Sequence, residues 1–177
     1  MYHPAIPTDV EYVELLNISS APVTLYDAAQ DESWQLTDDP EDPTIDFLFP
    51  AAQPVTLGAG EYLLLVRDLS LFNLKYTVPA GVQVFAWGAG RLSDDRAKVQ
   101  LSRPGDLDAD GVRRWIRVDR VSYSDGTHAA DFPNGADSWP ATADGKGASL
   151  SRIVPGDYGN DPANWHAATP TPGKANQ

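Results

Sequence analysis

Asp106, Asp108 and Asp110 stand at alternate positions, and Gly111 follows them. Hard oxygen ligands at that spacing converge on a calcium ion when a glycine allows the chain to turn sharply, so Asp106-Leu107-Asp108-Ala109-Asp110-Gly111 opens like a calcium loop. A complete loop of the EF-hand type closes on a bidentate Glu at its twelfth position, which here is Arg117. The competing assignment is a polar hairpin tip in which Asp and Gly serve the turn itself. A calcium ion at this place would fix the hairpin rather than activate water, and the chain calls for no other cofactor.

Trp115 is the second residue of interest, because it stands among Arg113, Arg114 and Arg117 on an otherwise acidic chain. An exposed ring there suits a partner, whereas four cationic residues including Arg103 are too few for nucleic acid. The remaining chemistry-bearing residues are scattered. His3, His128 and His166 share no ligand spacing, so neither zinc nor a catalytic triad is indicated. Ser149 and Ser151 lie in Gly147-Ala148-Ser149-Leu150-Ser151, which lacks the second glycine of a nucleophile elbow, and both read as strand residues. No pair of acids stands out for glycoside hydrolysis. Trp34, Trp87, Trp115, Trp139 and Trp165 are core residues by default, with a sugar-stacking platform as the alternative.

The elements that must position these residues are short strands. Tyr62 to Val66 is a run of five large apolar or aromatic residues between Gly60 and Arg67, too short for a membrane helix and suited to a strand covered on both faces. It reads as the central core strand. Glu11 to Asn17, Val23 to Tyr26, Trp34 to Leu36, Ile45 to Phe49, Val82 to Trp87, Lys98 to Leu101, Arg114 to Val118 and Ser149 to Val154 read as further strands. Leu69 to Leu74 has apolar spacing close to helical and predicts one short helix. Thr37 to Pro43 reads as a solvated acidic loop.

Fifteen Pro and 14 Gly scattered along 177 residues suit many tight turns, and a chain of this size buries roughly 70% of its unfolded surface. The expectation is one all-β domain over residues 1–177, an immunoglobulin-like β-sandwich of about 8–10 short strands. With 25 acidic against 13 basic residues, the net charge of −12 repels phosphate backbones and anionic lipids. Nucleic acid and membrane insertion are therefore not expected, whereas divalent cations and basic surfaces are. No cysteine is present, which excludes disulfides and thiolate ligands. Strand-like sequence starts within about ten residues of Met1, as in a domain cut from a longer polypeptide.

Several patterns in order resemble the lamin-tail domain of nuclear lamins and of many exported bacterial proteins. They are Met1-Tyr2-His3-Pro4, Glu11-Tyr12-Val13-Glu14-Leu15-Leu16-Asn17 and Gly60-Glu61-Tyr62-Leu63-Leu64-Leu65-Val66, then Gly90-Arg91-Leu92-Ser93 and Val118-Asp119-Arg120-Val121-Ser122-Tyr123. Trp139-Pro140, Gly145-Lys146-Gly147-Ala148-Ser149-Leu150, Asn164-Trp165 and Thr171-Pro172-Gly173-Lys174 complete the set. Against short bacterial members, the stretches between Tyr26 and Trp34, Asp38 and Asp42, and Arg103 and Arg117 look inserted. The resemblance implies a non-catalytic interaction or anchoring module of an envelope or secreted protein, outside the cytoplasm, that binds a protein or cell-surface polymer. A carbohydrate-binding accessory domain of an exported hydrolase is the alternative, and exposed coplanar aromatics would distinguish it.

Overall fold

The computed structural model describes residues 1–5 and 10–176. Its first strands are β1 (Tyr12–Leu16), β2 (Val23–Thr24), β3 (Tyr26–Asp27), β4 (Glu32–Ser33), β5 (Gln35–Thr37), β6 (Asp46–Leu48) and β7 (Thr56–Leu57). Then come β8 (Tyr62–Val66), helix α1 (Leu69–Lys75), β9 (Gln83–Ala86), β10 (Arg96–Leu107) and β11 (Arg113–Ser124), with β12 (Ser149–Arg152) and β13 (Trp165–Ala168) closing the chain. The fold is β-rich. One sheet has the order β1-β8-β9 and a second the order β11-β10-β5-β6, while β12-β13, β2-β7 and β3-β4 form two-stranded ribbons.

The expected central strand is β8. It lies between β1 and β9, and Leu63, Leu64, Leu65 and Val66 are wholly buried. Side chains alternate across a strand, so Leu63 and Leu65 enter the larger core with Leu36, Ile45, Phe49 and Trp87, while Leu64 and Val66 meet Phe72 and Tyr12 on the other face. Complete burial of each is worth roughly 1.5–3 kcal/mol. The second covering layer is helix rather than strand. Pairing between β8 and β9 is parallel, which demands a crossover, and α1 supplies it. The segment Leu69–Lys75 has no β-branched residue, and the Asp68 carboxylate caps it by accepting from the Leu71 amide at 2.8 Å. Phe72 is its buried anchor.

Hydrogen bonds to buried carboxylates fix the connections around this centre. Glu11 is 2% exposed and accepts from the Leu92 amide at 2.8 Å and from Arg67 Nη1 at 2.9 Å, joining the approach to β1 to the turn at Gly90. That turn requires glycine, since Gly90 has a φ of +83° and a Cβ there would stand 2.3 Å from the Thr44 carbonyl oxygen. The loop over 37–43 differs from the solvated one expected. Asp38 is buried and accepts from the amides of Asp39, Thr44 and Ile45 and from the Thr44 hydroxyl, so one carboxylate shapes the loop while Glu41 and Asp42 remain exposed.

Lys98 to Leu101 and Arg114 to Val118 belong to a single ribbon of two twelve-residue strands, β10 and β11. The pairing is antiparallel from Arg96↔Ser124 to Leu107↔Arg113, with register shifts after Leu101 and after Pro104. Pro104 has no N–H to donate, and it stands beside one of the shifts, where a missing ladder bond costs least. At the other end of the chain, Trp165 packs against Trp139 with ring centroids 6.1 Å apart and planes tilted by 43°, and the Arg152 guanidinium lies 5.1 Å above its ring, which fixes β13 to the core. No helix among the described residues is long and apolar enough to cross a membrane.

Candidate functional site

The tip of the β10–β11 ribbon is built from Asp108. Its Oδ1 accepts from the amides of Asp110 at 3.0 Å and Val112 at 2.9 Å, and its Oδ2 meets Arg114 Nη2 at 2.7 Å. The Asp108 amide donates to the Val112 carbonyl and the Gly111 amide to the Asp108 carbonyl, and Gly111 takes a φ of +77°. This is the turn chemistry of Asp followed by Gly. Asp106 lies on β10 and accepts from Gln30 Nε2 at 3.3 Å, while Asp110 is exposed. The three alternating carboxylates therefore do not converge. Among the described residues, the ligand atoms that gather within 4.8 Å of one another are those of Asp95, Asp125 and His128.

Arg113 holds the tip to the body. Its guanidinium donates to Gln30 Oε1 at 2.7 Å, to the Gly105 carbonyl at 2.7 Å and to the Gln30 carbonyl at 3.1 Å. Two of the stretches that look inserted thus brace each other through one side chain. Charge-assisted bonds of this kind are about twice as strong as neutral ones.

Beyond that clamp the ribbon presents a bare edge. β11 is the outermost strand of its sheet, so the backbone groups pointing away from β10 have no neighbouring strand. Near the base, Asn160 Oδ1 covers the edge by accepting from the Ser122 amide at 2.6 Å, and Arg152 Nη2 reaches Asp119 Oδ2 at 2.8 Å. Among the described residues nothing comparable covers Arg114 to Val118. In that stretch Ile116 is 43% and Val118 47% exposed, and Arg103, the cross-strand partner of Ile116, is exposed as well. Arg103 and Arg117 have no ion-pair partner among the described residues, on a chain whose net charge is −12. Trp115 is half-buried within the same stretch, opposite Pro104.

The other candidates fall elsewhere. Trp87 and Trp139 are core residues, Trp34 and Trp165 pack against the same core, and no stacking platform forms from these four. Ser149 and Ser151 are buried strand residues whose hydroxyls lie 3.1 Å apart. His3 bonds to Asp144 at 2.5 Å, His166 lies on β13 opposite Ser151, and His128 stands with carboxylates, so the histidines are not brought together. Glu14 on β1 is the most perturbed carboxyl: burial pushes it up to about 7, against the hydrogen bond it accepts from the Gly173 amide at 2.6 Å. It ties the tail to the sheet. No protein-family model, curated protein or solved structure matches the chain.

Sequence reasoning singled out Trp115 and its arginines, but not the edge they stand on. The aromatic and β-branched residues of Arg114-Trp115-Ile116-Arg117-Val118 signal a strand, yet only the sheet order tells that one side of that strand is free. Gln30 carried no signal at all, because its importance comes from Arg113, which is distant in sequence.

Proposed function

We propose that this chain is a non-catalytic interaction module of the lamin-tail type, and that it docks an extended acidic segment of a partner along β11 between Arg114 and Val118. The observation that carries the reading is the uncovered edge itself, lined by Ile116 and Val118 and flanked by Arg103 and Arg117, which have no ion-pair partner among the described residues. A strand added there gains main-chain hydrogen bonds along its length, and alternate side chains meet the apolar and cationic positions in turn. Arginines on an edge also oppose pairing between two copies of the chain, since self-pairing would bring like charges together. The same charges admit an acidic strand. Packing of Trp34, Trp87, Trp139 and Trp165 with the core favours this reading over a carbohydrate-binding accessory domain. The setting that goes with it is the cell envelope or the exterior, in a larger protein whose other parts this module tethers.

Titration calorimetry with two extended peptides of equal length tests the reading, one alternating Glu with Val and the other Lys with Val. The acidic peptide is expected to bind, to weaken as salt rises from about 50 to 500 mM, and to lose affinity in Ile116→Ser and Arg117→Glu. Equal binding of both peptides, or binding indifferent to these substitutions, overturns the docking site.

A further inference from the structure

The base of the ribbon carries a second arrangement, independent of its edge. The pairing Arg96↔Ser124 places Asp95, just before β10, beside Asp125, just after β11, and the Asp125 amide donates to the Asp95 carbonyl at 2.8 Å. The chain then turns back through Thr127, so that His128 faces the same point. Its Nε2 lies 3.6 Å from Asp125 Oδ1, and one ligand atom from each of the three residues lies within 4.8 Å of the other two.

Two observations separate this group from a chance gathering of acids. His128 Nε2 is shut off from solvent and has no hydrogen-bond partner, although a lone polar atom so placed is costly. Its distance to Asp125 is too long for a hydrogen bond, but it is close to the roughly 3.3–3.5 Å that separates two ligands of a tetrahedral ion bound at about 2.0–2.2 Å. A buried imidazole nitrogen with no partner beside two carboxylates is the environment a cation would complete.

We propose that Asp95, Asp125 and His128 bind a borderline divalent metal ion, zinc by chemical class, at the root of the β10–β11 ribbon. An imidazole ligand selects against calcium and magnesium, which take oxygen. The surroundings suit ligation. Asp125 Oδ1 is oriented by the amide and hydroxyl of Thr127 at 2.8 and 2.7 Å, and His128 Nδ1 faces Asp131 Oδ2 at 3.9 Å while Asp131 is held by Arg96. At 3.9 Å this is no hydrogen bond, but a negative charge on the far side of the imidazole favours the tautomer that carries its proton on Nδ1 and leaves Nε2 free for the ion. Asp95 is exposed, so the ion is reached from its side of the group and water completes the coordination. Its role is structural: it clamps the two strand ends from which the ribbon projects.

Metal-stripped full-length protein titrated with zinc chloride is expected to take up one equivalent and to unfold at a higher temperature with zinc than without it. His128→Gln and Asp95→Asn are expected to lose about tenfold or more in affinity, whereas Asp106→Asn at the tip loses nothing. Cobalt gives a readout that does not depend on stability, namely a visible absorption band in the wild type that His128→Gln abolishes. Circular dichroism of each variant shows that it is folded. No stoichiometric uptake by the wild type, unchanged affinity in folded His128→Gln, or calcium binding as tight as zinc binding each overturns the proposal.

Discussion

The base and the tip of the β10–β11 ribbon use the same two strands for opposite ends. At the base, Tyr123 and Ser124 are buried, the Tyr123 hydroxyl donates to the Ser93 carbonyl at 2.6 Å, and its ring lies 4.6 Å from that of Tyr2. At the tip, Leu107, Val112, Ile116 and Val118 are exposed, and the strands keep their place through Arg113 and the Asp108 turn. The half that packs specifies the fold. The half that does not stands exposed, and it is held by hydrogen bonds rather than by apolar burial.

The largest effect that separates the halves is expected from Tyr123→Ala, which empties a core position and should cost about 3–5 kcal/mol in chemical denaturation. A loss below about 1 kcal/mol would show that the base is not core. Next comes Glu14, which belongs to neither half and should make the sheet, not the tip, sensitive to pH. Its ordinary value is 4.5 and its folded value about 7, so the folded state holds the proton more tightly. The resulting stability is fully present below pH 4.5 and is lost as pH rises through 7. Glu14→Gln keeps an acceptor for the Gly173 amide and should stabilise by about 2 kcal/mol at pH 8 with little change at pH 4, a difference that thermal melts at the two pH values measure.

Arg113→Ala should cost about 1–2 kcal/mol and speed amide exchange at the tip without doing so at Ser122 to Ser124, because the clamp is local. Exchange that accelerates equally along both strands would mean that the ribbon opens as one unit. The smallest effect on stability belongs to Ile116→Ser, below about 0.5 kcal/mol for an exposed position, although the same change should weaken partner binding. Stability and binding would thus separate along one strand.

Much of the fold was legible in the sequence where side-chain pattern alone decides. The run Tyr62 to Val66 could be read as a doubly covered strand, and Leu69 to Leu74 as a helix, because apolar spacing carries both. That the helix covers one face of that strand could not be read, since it follows from the parallel partner β9. The alternating aspartates signalled both a turn and a calcium loop, and only the folded tip shows which amides Asp108 accepts from. Asp38 looked solvated because its neighbours are acidic, yet three amides of its own loop make burial tolerable. Asp95, Asp125 and His128 lie too far apart in sequence to read as a group, and the strand register unites them.

The docking edge is tested most directly by hydrogen exchange at the amides of Arg114 to Val118, measured with and without saturating acidic peptide. Slower exchange confined to that stretch, and absent at β6 on the opposite edge of the sheet, is the predicted result. Protection at β6 or β9 instead, with Arg114 to Val118 exchanging as fast as before, would contradict it.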